Sequence, residues 1–125
     1  MTSTWKIELI PVPVTDVDRA KAFYQRIGFT ADHDHRVHDD LRFVQLTPPG
    51  SACSIALGTG ITAKTPGTQE IQVVVADAAV ARKQLLEAEV QASDIDVQPW
   101  GTFVHFRDPD GNSWSLQEIE SRPNG

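Results

Sequence analysis

Cysteine is almost missing: Cys53 is alone among the 125 residues. The chain therefore makes no internal disulfide, and its fold has to be held by packing. Clusters of positive charge are missing too. The 11 Lys and Arg are scattered among 17 Asp and Glu, for a net charge of -6 and a pI near 5.0. Nucleic acid and anionic membrane surfaces are thus excluded as partners, because either needs a basic patch. No apolar run approaches the length of a membrane span. The amino end, MTSTWKIELIPVPV, has neither a basic region feeding an uninterrupted apolar run nor a small-residue cleavage site. No secretion signal is expected, and a cytoplasmic location is. A small neutral or polar ligand is the partner class that fits this charge balance.

What is present is a core and a repeat. With 40% hydrophobic residues, a chain of this length forms one domain that buries roughly two thirds of its unfolded surface. VPVTDVDRAKAFYQRIGF from Val12 aligns without a gap on VVVADAAVARKQLLEAEV from Val73. Each copy reads as an apolar strand, an Asp and a helix. Asp16 and Asp77 are N-caps, because a short carboxylate accepts the unpaired amides of the first helical turn. Val17, Ala20, Tyr24 and Ile27 then form one buried stripe, and Ala78, Ala81, Leu85 and Ala88 repeat it. Gly28 ends the first helix.

Downstream, RFVQLTPPGSACSIALG from Arg42 parallels TFVHFRDPDGNSWSLQE from Thr102, each a hairpin with a Pro and Gly turn. Short strands are expected near Ala31–His35 and Val90–Asp94. Each half then reads strand, helix, strand, strand, strand. Pro11 and Pro13 suit an edge or a weakly paired seam, since proline donates nothing to a ladder. Trp114 is expected in the core and Trp5 as a lid on a sheet end. DPDGN at Asp108–Asn112 reads as a turn closed by its own Asp side chains, without chemistry. Cys53, in an apolar setting, reads as a small core residue rather than a nucleophile. The polar tail SRPNG is expected to fray.

The segments VPVTDVDRAKAFYQRIGF and FRDPDGNSWSLQEI resemble the vicinal oxygen chelate superfamily, which includes glyoxalase I, bleomycin-resistance proteins and extradiol dioxygenases. The resemblance covers nearly the whole chain. It implies an α+β fold of two βαβββ modules in one chain, forming a curved mixed-sheet cup with the helices on the convex side. The domain would span 1–125, with module 1 at about 5–60 and module 2 at about 68–120. A homodimer is implied as well, since related members form their cups by pairing modules within or between chains. Metal-using members take His or Glu from the first and last strands of each module, positions held here by Leu9, Ala56, Glu70 and Ser115. Leu9 and Ala56 offer no lone pair and neutral Ser115 is a poor ligand, so no metal and no other cofactor is expected.

Strand alternation assigns the lining of the cup. Ser54, Ser115, Gln117, Glu70, Gln72, Phe43, Gln45, Phe103, His105 and Leu9 point inward, while Val44, Leu46, Val104, Phe106, Ile71, Val73 and Val75 face the helices. Trp100 overhangs the cup and could stack on a planar ligand. An apolar wall with few polar groups is the usual make-up of a ligand site. His105 is a candidate general base or hydrogen-bond donor, with Glu70 as a proton acceptor or charged contact. The plain alternatives are a histidine satisfied by one local partner and a glutamate that reaches water. The run ADHDHRVHDD reads as a solvated strand and turn; His33 and His35 share parity and could bridge a surface ion, but nothing supports a structural zinc site. Two functions follow: a metal-independent small-molecule-binding protein, or a metal-independent isomerase, epimerase or lyase using His105 and Glu70. A metal-dependent glyoxalase or dioxygenase conflicts with the missing ligands.

Overall fold

Asp16 and Asp77 open the two helices as their spacing requires. Each side chain accepts the amide three residues on, from Arg19 and Val80, at 3.0 Å. The computed structural model describes residues 3–119, so the expected frayed tail lies outside the described residues. The elements are β1 (Leu9–Pro11), α1 (Val17–Arg26), β2 (Thr30–His38), β3 (Leu41–Thr47) and β4 (Ser54–Thr59). They recur in the same order as β5 (Glu70–Val75), α2 (Ala78–Glu87), β6 (Asp96–Gln98), β7 (Gly101–Arg107) and β8 (Ser113–Glu118).

Each half builds one four-stranded mixed sheet, ordered β1-β4-β3-β2 and β5-β8-β7-β6. The first and last strands of a half run parallel, and the other pairs are antiparallel. Parallel pairing needs a crossover, and the helix of each half supplies it. This is the expected α+β architecture of two βαβββ modules. Pro11 lies in edge strand β1, which among the described residues pairs only with β4, so its missing donor costs no ladder bond. Among the described residues no hydrogen-bonded ladder joins the two sheets.

The helix-facing residues form one core drawn from both halves. Val44, Leu46, Val104, Phe106, Trp114 and Leu116 are buried with Ala20, Phe23, Tyr24, Ala81 and Leu85. Helix α1 reaches across the boundary: Tyr24 lies 5.6 Å from Trp114 and Phe23 lies 6.3 Å from Phe106, ring centre to ring centre.

The DPDGN turn does more than close locally. The amides of Asp110 and Asn112 donate to Asp108 Oδ1, as expected of an Asp turn. Asp108 Oδ2 also accepts from the Tyr24 hydroxyl at 2.7 Å, and Trp114 Nε1 donates to that same hydroxyl at 3.0 Å. Asn112 Nδ2 donates to the Pro13 carbonyl, and Thr15 donates through both its amide and its hydroxyl to Asp110. Tyr24, Pro13 and Thr15 lie in the first half, whereas Asp108, Asp110, Asn112 and Trp114 lie in the second. The turn is a clamp between modules, visible only once the halves are docked.

Three further expectations change. The strand expected near Val90–Asp94 forms instead at Asp96–Gln98. Val90 plugs the core, and Ser93 bonds the backbone of His105 from a non-ladder position, so pairing with β7 starts later. Trp5 covers no sheet end, being 88% exposed. Cys53 precedes β4 and is only half-buried; burial and the Glu8 carboxylate push its thiol pKa up, which disfavours the nucleophilic thiolate.

Candidate binding face

On the face of each sheet turned away from its helix, residues paired across strands line up in rows, because directly opposed side chains point the same way. In the second module one row is Gln72, Ser115 and His105. The next is Val74, Gln117, Phe103 and Asp96. A third is Glu70, Ser113 and Arg107. Val104, between two of these side chains, is fully buried, whereas the His105 side chain is 43% exposed. The register expected from alternation is the one the strands adopt.

Two polar chains organise this face. Gln72 Nε2 donates to Gln117 Oε1 at 2.6 Å, and Gln117 Nε2 donates to the Trp100 carbonyl at 3.0 Å. In the second chain, His105 Nδ1 lies 3.0 Å from Ser115 Oγ and Nε2 lies 3.2 Å from Asp96 Oδ2. Gln98 Nε2 donates to Asp96 Oδ1 at 2.8 Å. The bonds from Gln98, first, and from His105 hold the Asp96 carboxyl below its ordinary pKa range, so it stands ionised beside the imidazole. The Phe103 ring stacks on His105, 5.9 Å away and inclined by 10°.

The first module presents the matching face. Gln45 Nε2 donates to Ser54 Oγ at 3.1 Å, and Thr47 Oγ1 lies between Ser54 Oγ and the Asp32 carboxylate. His33 sits opposite Gln45 and His35 opposite Phe43, and the two imidazoles stack at 5.8 Å.

Of the residues expected in the cup, Gln72 and Gln117 are thus bonded together, as are His105 and Ser115, and Gln45 and Ser54. Glu70 is exposed two strands from His105 and makes no bond with it. Trp100 is 66% exposed in the turn before β7, and only its carbonyl joins the network. Sequence reasoning missed Asp96 and Gln98, because it placed their strand too early. It also set the histidine run apart from the cup; the pairing of β2 with β3 places His33 and His35 beside Gln45 and Phe43.

Residues 6–116 match the family profile of the glyoxalase/bleomycin resistance protein/dioxygenase superfamily. The chain belongs to this superfamily. Among solved structures it is similar to TnmS3, an antibiotic binding protein from Streptomyces sp. CB03234. The identity is 28% and the TM-score 0.85, over 96% of this chain and 100% of TnmS3. It is also similar to a glyoxalase/bleomycin resistance protein of the same organism, at 30% identity and TM-score 0.78, over 90% of this chain and 99% of that one. The uncharacterised protein YetH of Bacillus subtilis (strain 168) is 25% identical over 117 residues, 90% of this chain and 98% of YetH.

The divalent ion used by some glyoxalase-superfamily proteins does not fit the residues here. Leu9 and Ala56 are hydrocarbon side chains, Ser115 is engaged with His105, and only Glu70 carries a hard oxygen ligand. Among the described residues no three His, Cys, Asp or Glu side chains converge on a point that could hold a metal. No described helix is long and apolar enough to cross a membrane.

Proposed function

We propose that this glyoxalase-superfamily chain is a cytoplasmic, metal-independent protein that binds and sequesters a small antibiotic-like molecule, acting as a homodimer. The observation that carries this reading is the second-module face, where Gln72, Gln117, His105 and Ser115 stand in ordered bonds beside the Phe103 ring. Fixed polar groups against an aromatic wall suit a planar ligand bearing carbonyl or hydroxyl groups. Likeness to TnmS3 over 96% of the chain supports the ligand class. Glu70 stands outside the bonding of His105, which favours binding over a proton transfer shared by those two groups.

The homodimer is supported by open edges. Among the described residues, strands β1 and β5 each pair on one side only, and the exposed Val74, Trp5 and Ile7 lie on or near these edges. Edges of this kind are usually covered in a finished assembly. Sedimentation is expected to give a dimer at micromolar concentration, and a monomer would count against this assembly.

Isothermal titration against a panel of aromatic antibiotics tests the main reading. The expected result is stoichiometric binding with the ligand recovered unchanged, weakened at least tenfold in Gln117→Ala. Elemental analysis of the purified protein is expected to find no stoichiometric nickel, zinc, iron or manganese. Equimolar metal lost in Glu70→Ala would refute metal independence.

A further inference from the structure

We propose that Ser115, His105 and Asp96 form a nucleophilic relay, making Ser115 an acyl acceptor for esters and thioesters whose acyl group carries an anion. The proposal goes beyond binding and rests on the same face being the one a ligand meets.

The three side chains come from adjacent strands β8, β7 and β6, so the sheet itself sets their spacing. The imidazole bridges the other two, at 3.0 Å from Ser115 Oγ and 3.2 Å from Asp96 Oδ2. An ionised Asp96 accepts from Nε2–H, which fixes the neutral tautomer and leaves the Nδ1 lone pair toward the Ser115 hydroxyl. The roles require only one ring nitrogen for each neighbour. The ring is held as well: Phe103 stacks on it, and Ser93 bonds the backbone of His105 through both His105 N and His105 O at 2.9 Å. Gln98 fixes Asp96 in turn. A serine with a base in reach, and a base oriented by a third group, is the arrangement that activates a hydroxyl.

Gln72 lies directly beside Ser115 in its row, and Gln117 one pair further along β8. Each amide spends one N–H on the bonds described above and keeps a second for a developing oxyanion. Ser115 and His105 also line an open cleft of about 810 Å³ whose wall carries Arg26 and Arg107 beside the exposed Glu89 and the buried Asp108; both Asp108 oxygens are already engaged by Tyr24, Asn112 and the turn amides. The two guanidinium groups select an acyl group that bears a carboxylate.

In the step itself, Ser115 Oγ bonds to the ester carbonyl carbon as its proton passes to His105 Nδ1. The bond to the leaving alcohol or thiol then breaks, and that group takes the proton from Nδ1. Water attacks the acyl-serine, gives its proton to Nδ1, and the acid departs as the proton returns to Ser115 Oγ. The balance is ester plus water to acid plus alcohol. Asp96 is a positioning residue throughout.

The test treats the full chain with a fluorophosphonate and locates the adduct by mass spectrometry, alongside hydrolysis of a 4-nitrophenyl hemiester of glutaric acid. The expected result is one adduct, on Ser115, absent in Ser115→Ala and His105→Ala. Hemiester hydrolysis should fall on the order of a hundredfold in both variants, with an unchanged melting temperature. Asp96→Asn should lower kcat and leave KM nearly unchanged, because the imidazole loses the carboxylate that fixes its tautomer while the substrate contacts survive. The hemiester should outrun 4-nitrophenyl acetate at least tenfold, and Arg107→Ala should abolish that preference. No adduct, an adduct on another serine, or equal hydrolysis by Ser115→Ala would overturn the relay. Equal rates on the two esters would overturn the assigned substrate class. Stoichiometric antibiotic binding without an adduct would sink this inference and leave the binding reading standing.

Discussion

Among the described non-glycine residues, only Glu89 adopts a positive φ, of 63°. It follows the C-cap of α2, at the place where Gly28 follows α1 with φ 108°. The two modules solve the same helix exit, one with the residue that tolerates it and one without. Glu89→Gly is therefore expected to raise stability by about 0.5–1 kcal/mol, read as a higher urea midpoint, and Gly28→Ala to lower it by a similar amount. Asp34 gives a second test. Hydrogen bonds from Arg42, first, and Lys21 hold its carboxyl well below the usual range. Its folded pKa lies below an unfolded value near 4. The stabilisation is thus fully present above roughly pH 5 and is lost as the pH falls through 4 and below. Asp34→Asn should cost roughly 1 kcal/mol at pH 7, allowing for solvent screening of a part-exposed cluster. The gap to the parent protein should narrow steadily in acid.

At the scale of elements, what was legible depended on whether a local rule decided it. Both N-caps, both helix stripes and the facing of β7 follow from period and residue type alone, and Val104 and His105 fall on the sides that alternation assigns. The position of β6 was not legible. Val90 is apolar and starts a plausible strand, but its side chain is claimed by the core before the backbone reaches β7. That slip hid Asp96, and with it the polar chain through His105. The join between modules was hidden for another reason: an Asp turn looks the same whether its second oxygen meets water or Tyr24. Paired substitutions in β7 test the register. Val104→Ala should cost about 1–3 kcal/mol and leave ligand affinity nearly unchanged. His105→Ala should weaken binding at little cost in stability. The reverse pattern would mean the face is inside out.

For the whole molecule, the question is why two sheets without a common ladder behave as one body. The shared aromatic cluster supplies non-directional attraction, and the Asp108 turn supplies direction. Tyr24 serves in both: its ring packs on Trp114, and its hydroxyl stands between Trp114 Nε1 and Asp108 Oδ2 in a fully buried position. Desolvation by burial, followed by the Asp108 charge, drives its pKa upward, so the hydroxyl stays protonated and remains a donor across any working pH. Tyr24→Phe keeps the ring and removes only the hydroxyl. The indole N–H then loses its partner, and Asp108 Oδ2 keeps only Asn112. A buried group left unpaired costs about 1–3 kcal/mol, more than the net worth of the bond itself. The expected result is a lower denaturant midpoint with a single transition and an unchanged slope, since the apolar contact between modules survives. Two separate transitions would show that this hydroxyl, rather than the aromatic cluster, makes the halves fold together.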